Sequence, residues 1–124
     1  MTPLKPVNDD GFRYFKRDDF KCSHTGLNYI NTSFIDRLDQ LRYLCGFPLS
    51  VNSGYRDETH PAEAKKSSPG WHTKGCAADL AVSGGAQRRK VVEMALFTGF
   101  TGIGVYRGFV HVDARTSQPM LWAG

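Results

Sequence analysis

A chain of 124 residues has room for one domain with one core and excludes a second. Forty per cent apolar residues, with eight Phe and five Tyr, exclude a disordered chain, and no apolar run approaches membrane-spanning length. The net charge of +4 is compatible with an anionic partner, either nucleic acid or a bacterial wall polymer.

In chain order, residues 1–11 carry Pro3, Pro6, Asp9 and Asp10 and read as a loosely held leader, with 12–124 as a single domain. The leader has no apolar stretch of signal-peptide kind, so the chain is expected to be made in the cytoplasm. Cys22, Cys45 and Cys76 are odd in number and form no Cys-x-x-Cys pair. That argues against a disulfide scaffold and a structural zinc finger, and leaves them as small core residues. Ser23-His24-Thr25-Gly26 is a turn whose histidine reads as a surface residue. From Asn31 a helix is predicted: Asn31, Thr32 or Ser33 can cap it, and Phe34, Leu38, Leu41 and Cys45 fall at helical spacing. Gly46 and Pro48 stop it.

Leu49–Asn52 alternates like a short strand and runs into Ser53-Gly54-Tyr55-Arg56, where the glycine allows a sharp turn. Arg56 is then either a fixed guanidinium gripping an oxygen pair, or a surface arginine paired with Asp57 or Glu58. The polar loop 57–70 is long for a small domain, which marks functional or mobile segments. Its His60 reads as a substrate contact or an exposed side chain in preference to a metal ligand. Cys76–Val82 alternates as a strand, with Asp79 sharing a face with Ala77 and Ala81. Ser83-Gly84-Gly85 turns into a helix over Ala86–Thr98, with Val91, Met94, Ala95 and Phe97 inward and Arg88, Arg89, Lys90 and Glu93 mostly outward. Thr101–Tyr106 and Phe109–Asp113 form a hairpin across Arg107-Gly108. Together these predict an α+β domain: a small antiparallel sheet with helices packed on one face and a metal site on the open face.

Three residues carry the chemistry. His72, Asp79 and His111 supply two imidazoles and one carboxylate, the ligand set of a catalytic zinc with an open position. A histidine bonded to an aspartate inside a core uses the same residue types, and at this level both readings stand. Asp113 shares a strand face with His111, about 7 Å away.

Ser53-Gly54-Tyr55-Arg56, His72 with Gly75-x-Ala77-x-Asp79, Gly102-Ile103-Gly104 and Phe109-Val110-His111-Val112-Asp113 together resemble the M15 metallopeptidases, most closely a short branch common in phages and prophages. The resemblance covers roughly residues 12–122. It implies a zinc D,D-carboxypeptidase, dipeptidase or endopeptidase acting on peptidoglycan stem peptides, endolysins included. It also implies His72, Asp79 and His111 as zinc ligands and Arg56 as the substrate-binding arginine. In several members an acid three residues before the last histidine is the general base, and here that position is Gly108. Asp113 is the substitute candidate, either as a base or as a group orienting a ligand, with Glu58 and Glu63 in reserve. The expected enzyme works as a monomer on the bacterial wall, reached on lysis or from a virion, with no nucleic-acid partner.

Two readings of another class accompany it. One is a catalytically weak zinc-containing binding module of a phage tail or lysis complex. The other is a nucleic-acid binder using Lys65, Lys66 and Arg88-Arg89-Lys90.

Overall fold

The computed structural model describes residues 3–68 and 70–124. Met1 and Thr2 of the expected leader, and Pro69 of the loop, lie outside the described residues. Helix α1, Thr32–Cys45, begins where the side chain of Asn31 accepts hydrogen bonds from the Ser33 and Phe34 amides, and ends at Gly46 with φ +77°. Such a left-handed residue satisfies the last carbonyls at no steric cost when it is glycine. Strand β1, Val51–Ser53, precedes a single helical turn, α2, Pro61–Ala64. Strand β2, Ala77–Ala81, leads into α3, Gly84–Phe97, and then β3, Gly102–Val105, and β4, Phe109–Asp113.

A last strand, β5, Met120–Ala123, completes a five-stranded sheet in the order β1-β2-β4-β3-β5. The sheet is α+β as expected, but mixed rather than wholly antiparallel, because β5 pairs parallel to β3. The cause is geometric. β4 ends at Asp113, opposite the start of β3 at Gly102, so a chain turning back there to reach the far side of β3 must run alongside it. β4 itself thus provides the crossover that a parallel pair needs. The segment Met120-Leu121-Trp122-Ala123 carries no polar alternation, which is why its pairing was not legible.

Helices α1 and α3 pack against each other, and α3 lies on β3 and β4. Ala78, Leu80, Ile103, Val110 and Val112 face them and are buried, together with Phe34, Ile35, Leu38 and Leu41 of α1. Each such aliphatic side chain contributes about 1.5–3 kcal/mol by leaving water. Phe97, expected inward, is 77% exposed. It lies about 200° around the helix from Ala95, so it cannot share the buried stripe of Val91 and Ala95. Cys22 and Cys45 are buried free thiols and Cys76 is partly buried. Among the described residues no helix is long and apolar enough to cross a membrane.

Candidate metal centre

Asp79 and His111 are brought together by register. They are direct partners across β2 and β4, where opposite side chains on one face meet. His72 comes from the turn before β2, which closes at Gly75 with φ +77°. A β-carbon at Gly75 would collide with the Tyr29 carbonyl, and the Gly75 carbonyl accepts the Asn31 amide at 2.8 Å. The start of α1 therefore anchors the turn that carries His72.

The histidines have partners on both ring nitrogens. His72 Nδ1 lies 2.8 Å from the Gly54 carbonyl, which can only accept, so this nitrogen carries the proton. That leaves Nε2, 3.4 Å from Asp79 Oδ1, as the ring nitrogen that faces the other two groups. His111 points Nδ1 at the same Asp79 Oδ1 at 2.9 Å and Nε2 at Asp113 Oδ2 at 2.7 Å. Two imidazole nitrogens and a carboxylate oxygen so converge within 4.8 Å of one another. Two imidazole nitrogens and one carboxylate oxygen at this spacing are a donor set that fits a divalent metal such as zinc. Burial lowers the His111 pKa, but hydrogen bonds to Asp113 and Asp79 outweigh it and raise the value above the usual one. Burial likewise opposes ionisation of Asp79, yet its contacts with His111 and His72 hold it well below the usual carboxylate range.

Arg56 is not a surface arginine paired with Asp57 or Glu58. Its Nη2 donates to Asp79 Oδ2 at 3.1 Å, its Nη1 to Glu63 Oε2 at 3.4 Å and its Nε to Ser53 Oγ at 2.9 Å. Ser53 faces Asp79 in the β1–β2 register, which fixes this fork. Glu63 is buried and also accepts from Lys66 Nζ, Thr73 Oγ1 and the Gly70 amide.

Asp113 has no solvent-exposed side-chain surface. Besides His111, it accepts two hydrogen bonds from the Arg115 guanidinium, at 2.6 and 2.9 Å, and one from the Arg115 amide at 3.0 Å. Its carboxyl group lies over Gly102, where any side chain would collide with it. The glycine needed here is thus a matter of room on the open face. Gly108 has no heavy atom within 4 Å of where a β-carbon would sit, so packing does not forbid a side chain there.

A cleft of about 340 Å³ opens over the group, with Arg56 at one end and Tyr106, Phe109 and Trp122 at the other. This is near the lower end of the ~300–1,000 Å³ usual for small-ligand sites. Among the described residues Asp79 is the only carboxylate lining it. His60 stands outside it: its Nδ1 accepts the Ala62 amide at 3.0 Å and caps α2, and its ring meets exposed His24. Glu58 lines a neighbouring cavity with Glu63.

Arg115 and Trp122 were missed from sequence. Arg115, two residues beyond Asp113, carried a usable signal in that spacing. Trp122 carried none, because its strand was not recognised.

The family model described as Peptidase M15 matches residues 13–113. No curated protein matches the chain.

Proposed function

Since the chain belongs to the M15 peptidase family, we propose that it is a zinc-dependent peptidase hydrolysing peptide bonds in peptidoglycan stem peptides or their cross-links. The observation that carries this is the convergence of His72, Asp79 and His111 under an open cleft. His72 through Nε2, Asp79 through a carboxylate oxygen and His111 through Nδ1 are the groups to hold the ion. A zinc ion held there supplies a Lewis acid and activates water at neutral pH.

The protein's own residues prepare the rest. The Gly54 carbonyl fixes the His72 tautomer, and Asp113, clamped by Arg115, fixes that of His111. Carboxylate–histidine pairs of this kind orient a ligand and raise its basicity. We therefore assign Asp113 the orienting role rather than that of general base, and His60 the capping of α2 rather than substrate contact. Arg56 spends three of its five donors on Ser53, Glu63 and Asp79. The remaining donors serve either the negative charge developing on the scissile carbonyl oxygen or a terminal substrate carboxylate. The first use belongs to an endopeptidase and the second to a carboxypeptidase. The enzyme acts as a monomer on the bacterial wall, reached on lysis or from a virion.

One observation favours a second reading, a catalytically weak zinc-containing binding module: no carboxylate other than Asp79 faces the cleft among the described residues. Nucleic-acid binding loses support, because Lys66 is paired with Glu63 beside the open face while Arg88–Lys90 lie on α3, across the sheet. Mass spectrometry of purified peptidoglycan treated with the protein separates the possibilities. The expected result is new peptide fragments and free amino groups, abolished by EDTA and by Asp79→Ala and restored to the wild type by zinc. Wall material bound but left intact establishes the binding module instead.

A further inference from the structure

The aromatic wall at the end of the cleft away from Arg56 has little ring surface to offer. Tyr106 stacks on Phe109, with centroids 4.4 Å apart and planes 8° apart. The Trp122 ring meets the His111 ring at 5.3 Å between centroids and the Arg115 guanidinium at 4.9 Å. What this wall can give a substrate is a polar group, the Tyr106 hydroxyl.

The fold sets that hydroxyl beside the metal group. Gly104 is the register partner of His111 on one side and of Trp122 on the other. Neighbouring strands lie about 4.8 Å apart. Trp122 folds over Gly104, where a β-carbon would lie 2.7 Å from the indole Nε1. Tyr106 Oη is 2.9 Å from that nitrogen, which brings it to the His111 side of the cleft. The phenol ring is fixed by its stack on Phe109 and by Gly124, where any β-carbon would collide with it. β5, which brings Trp122 and Gly124's approach, lies beyond the residues matched by the family model.

The direction of the hydrogen bond decides what the hydroxyl can do. An indole N–H only donates, so the Tyr106 oxygen is the acceptor of this pair. Its own proton is then left for another acceptor, and among the described residues no protein group takes it. Tyr106 is also the only hydroxyl among the described residues lining the cleft. Several other donors there are committed: the Trp122 N–H to Tyr106, Lys66 to Glu63 and the Arg115 fork to Asp113. A neutral donor held in place before reaction stabilises charge that appears only in the transition state, without reorganising.

We propose that Tyr106 is a catalytic residue whose hydroxyl, oriented by Trp122, donates a hydrogen bond to the scissile carbonyl oxygen as negative charge develops on it. This rests on the peptidase reading of the cleft. The first test compares the wild type with Tyr106→Phe, which keeps the ring and its stack. Turnover of a stem peptide, zinc content and Tm are measured for both. The variant should lose about 100-fold or more in kcat, with KM, zinc content and Tm close to the wild type. An unchanged kcat, a loss carried by KM, or one that excess zinc reverses overturns the role.

The second test needs no turnover. A phosphinate analogue of a dipeptide carries tetrahedral oxygens that stand in for the charged intermediate. Calorimetry on the zinc-loaded proteins should show it bound about tenfold or more weakly by Tyr106→Phe. Failure of the analogue to bind the wild type more tightly than the variant overturns the donor. If no peptide is cleaved while the analogue still separates the two proteins, the peptidase reading fails and the donor stands. If peptides are cleaved and the two proteins behave alike on both measurements, the donor fails alone.

Discussion

Asp113, open in the sequence to two roles, finds partners in the fold that favour one of them. A buried carboxylate gripped by Arg115 and by the far nitrogen of His111 is placed to hold a ligand still. Asp113→Asn should weaken zinc affinity by about 10- to 100-fold, and excess zinc should restore turnover. A lost general base would leave turnover low at saturating zinc, so a zinc titration of activity decides between the roles. Glu63 supports a pH prediction. Burial raises its pKa, but hydrogen bonds from Lys66, Thr73 and the Gly70 amide outweigh that and hold it at about 2. The unfolded value is about 4.3. A depressed carboxylate stabilises the fold above its unfolded pKa, and that contribution is lost as pH falls through the folded one. Urea unfolding between pH 7 and 2, followed for the wild type and Glu63→Gln, should show the variant less stable at neutral pH and shallower in its acid limb.

At the scale of elements, glycines with similar sequence surroundings have opposite consequences. A β-carbon at Gly54 would sit 2.7 Å from the Phe20 backbone, and the Gly54 carbonyl holds His72. Gly54→Ala should destabilise by about 1–3 kcal/mol, as overpacking does, and weaken zinc binding by displacing that carbonyl. Gly85, in the first turn of α3, has only the Arg88 guanidinium near, at 3.6 Å, and no positive φ. Gly85→Ala should leave zinc binding unchanged and stabilise by about 0.4–1 kcal/mol through the unfolded chain. Paired urea curves and zinc titrations of the two variants check both signs. A Gly54→Ala protein as stable as the wild type, with unchanged zinc affinity, would remove the connection between β1 and the His72 anchor.

For the whole molecule, the core and the candidate metal centre lie on opposite faces of one sheet. Helices α1 and α3 bury the apolar face, while Asp79, His111 and Asp113 occupy the other with every carboxylate partnered by protein groups. Among the described residues no buried side-chain nitrogen or oxygen lacks a partner. Chelation should therefore abolish peptidase activity without unfolding the protein. Circular dichroism in EDTA should keep its helical signal and a cooperative thermal transition. Zinc at about 100 times its Kd adds ~2.7 kcal/mol and should raise Tm by several degrees. Collapse of the fold in EDTA would instead make the metal part of the core.

Local rules determined much of this protein from the chain alone. Caps, helical spacing and strand alternation placed α1, α3 and β4, and strand parity put His111 and Asp113 on one face of β4. The family motifs added the expectation that His72, Asp79 and His111 form a metal-ligand set, which residue types alone left open. Register, by contrast, is non-local: a slip of one residue turns every side chain of a strand to the other face, and only pairing with β1 and β4 sets Asp79 against Ser53 and His111. The partners of each imidazole nitrogen, the Arg56–Glu63 contact, the parallel run of β5 and the aromatic wall around Trp122 all join residues distant in sequence. Each depends on where the backbone passes in space, and so only the tertiary structure decided it.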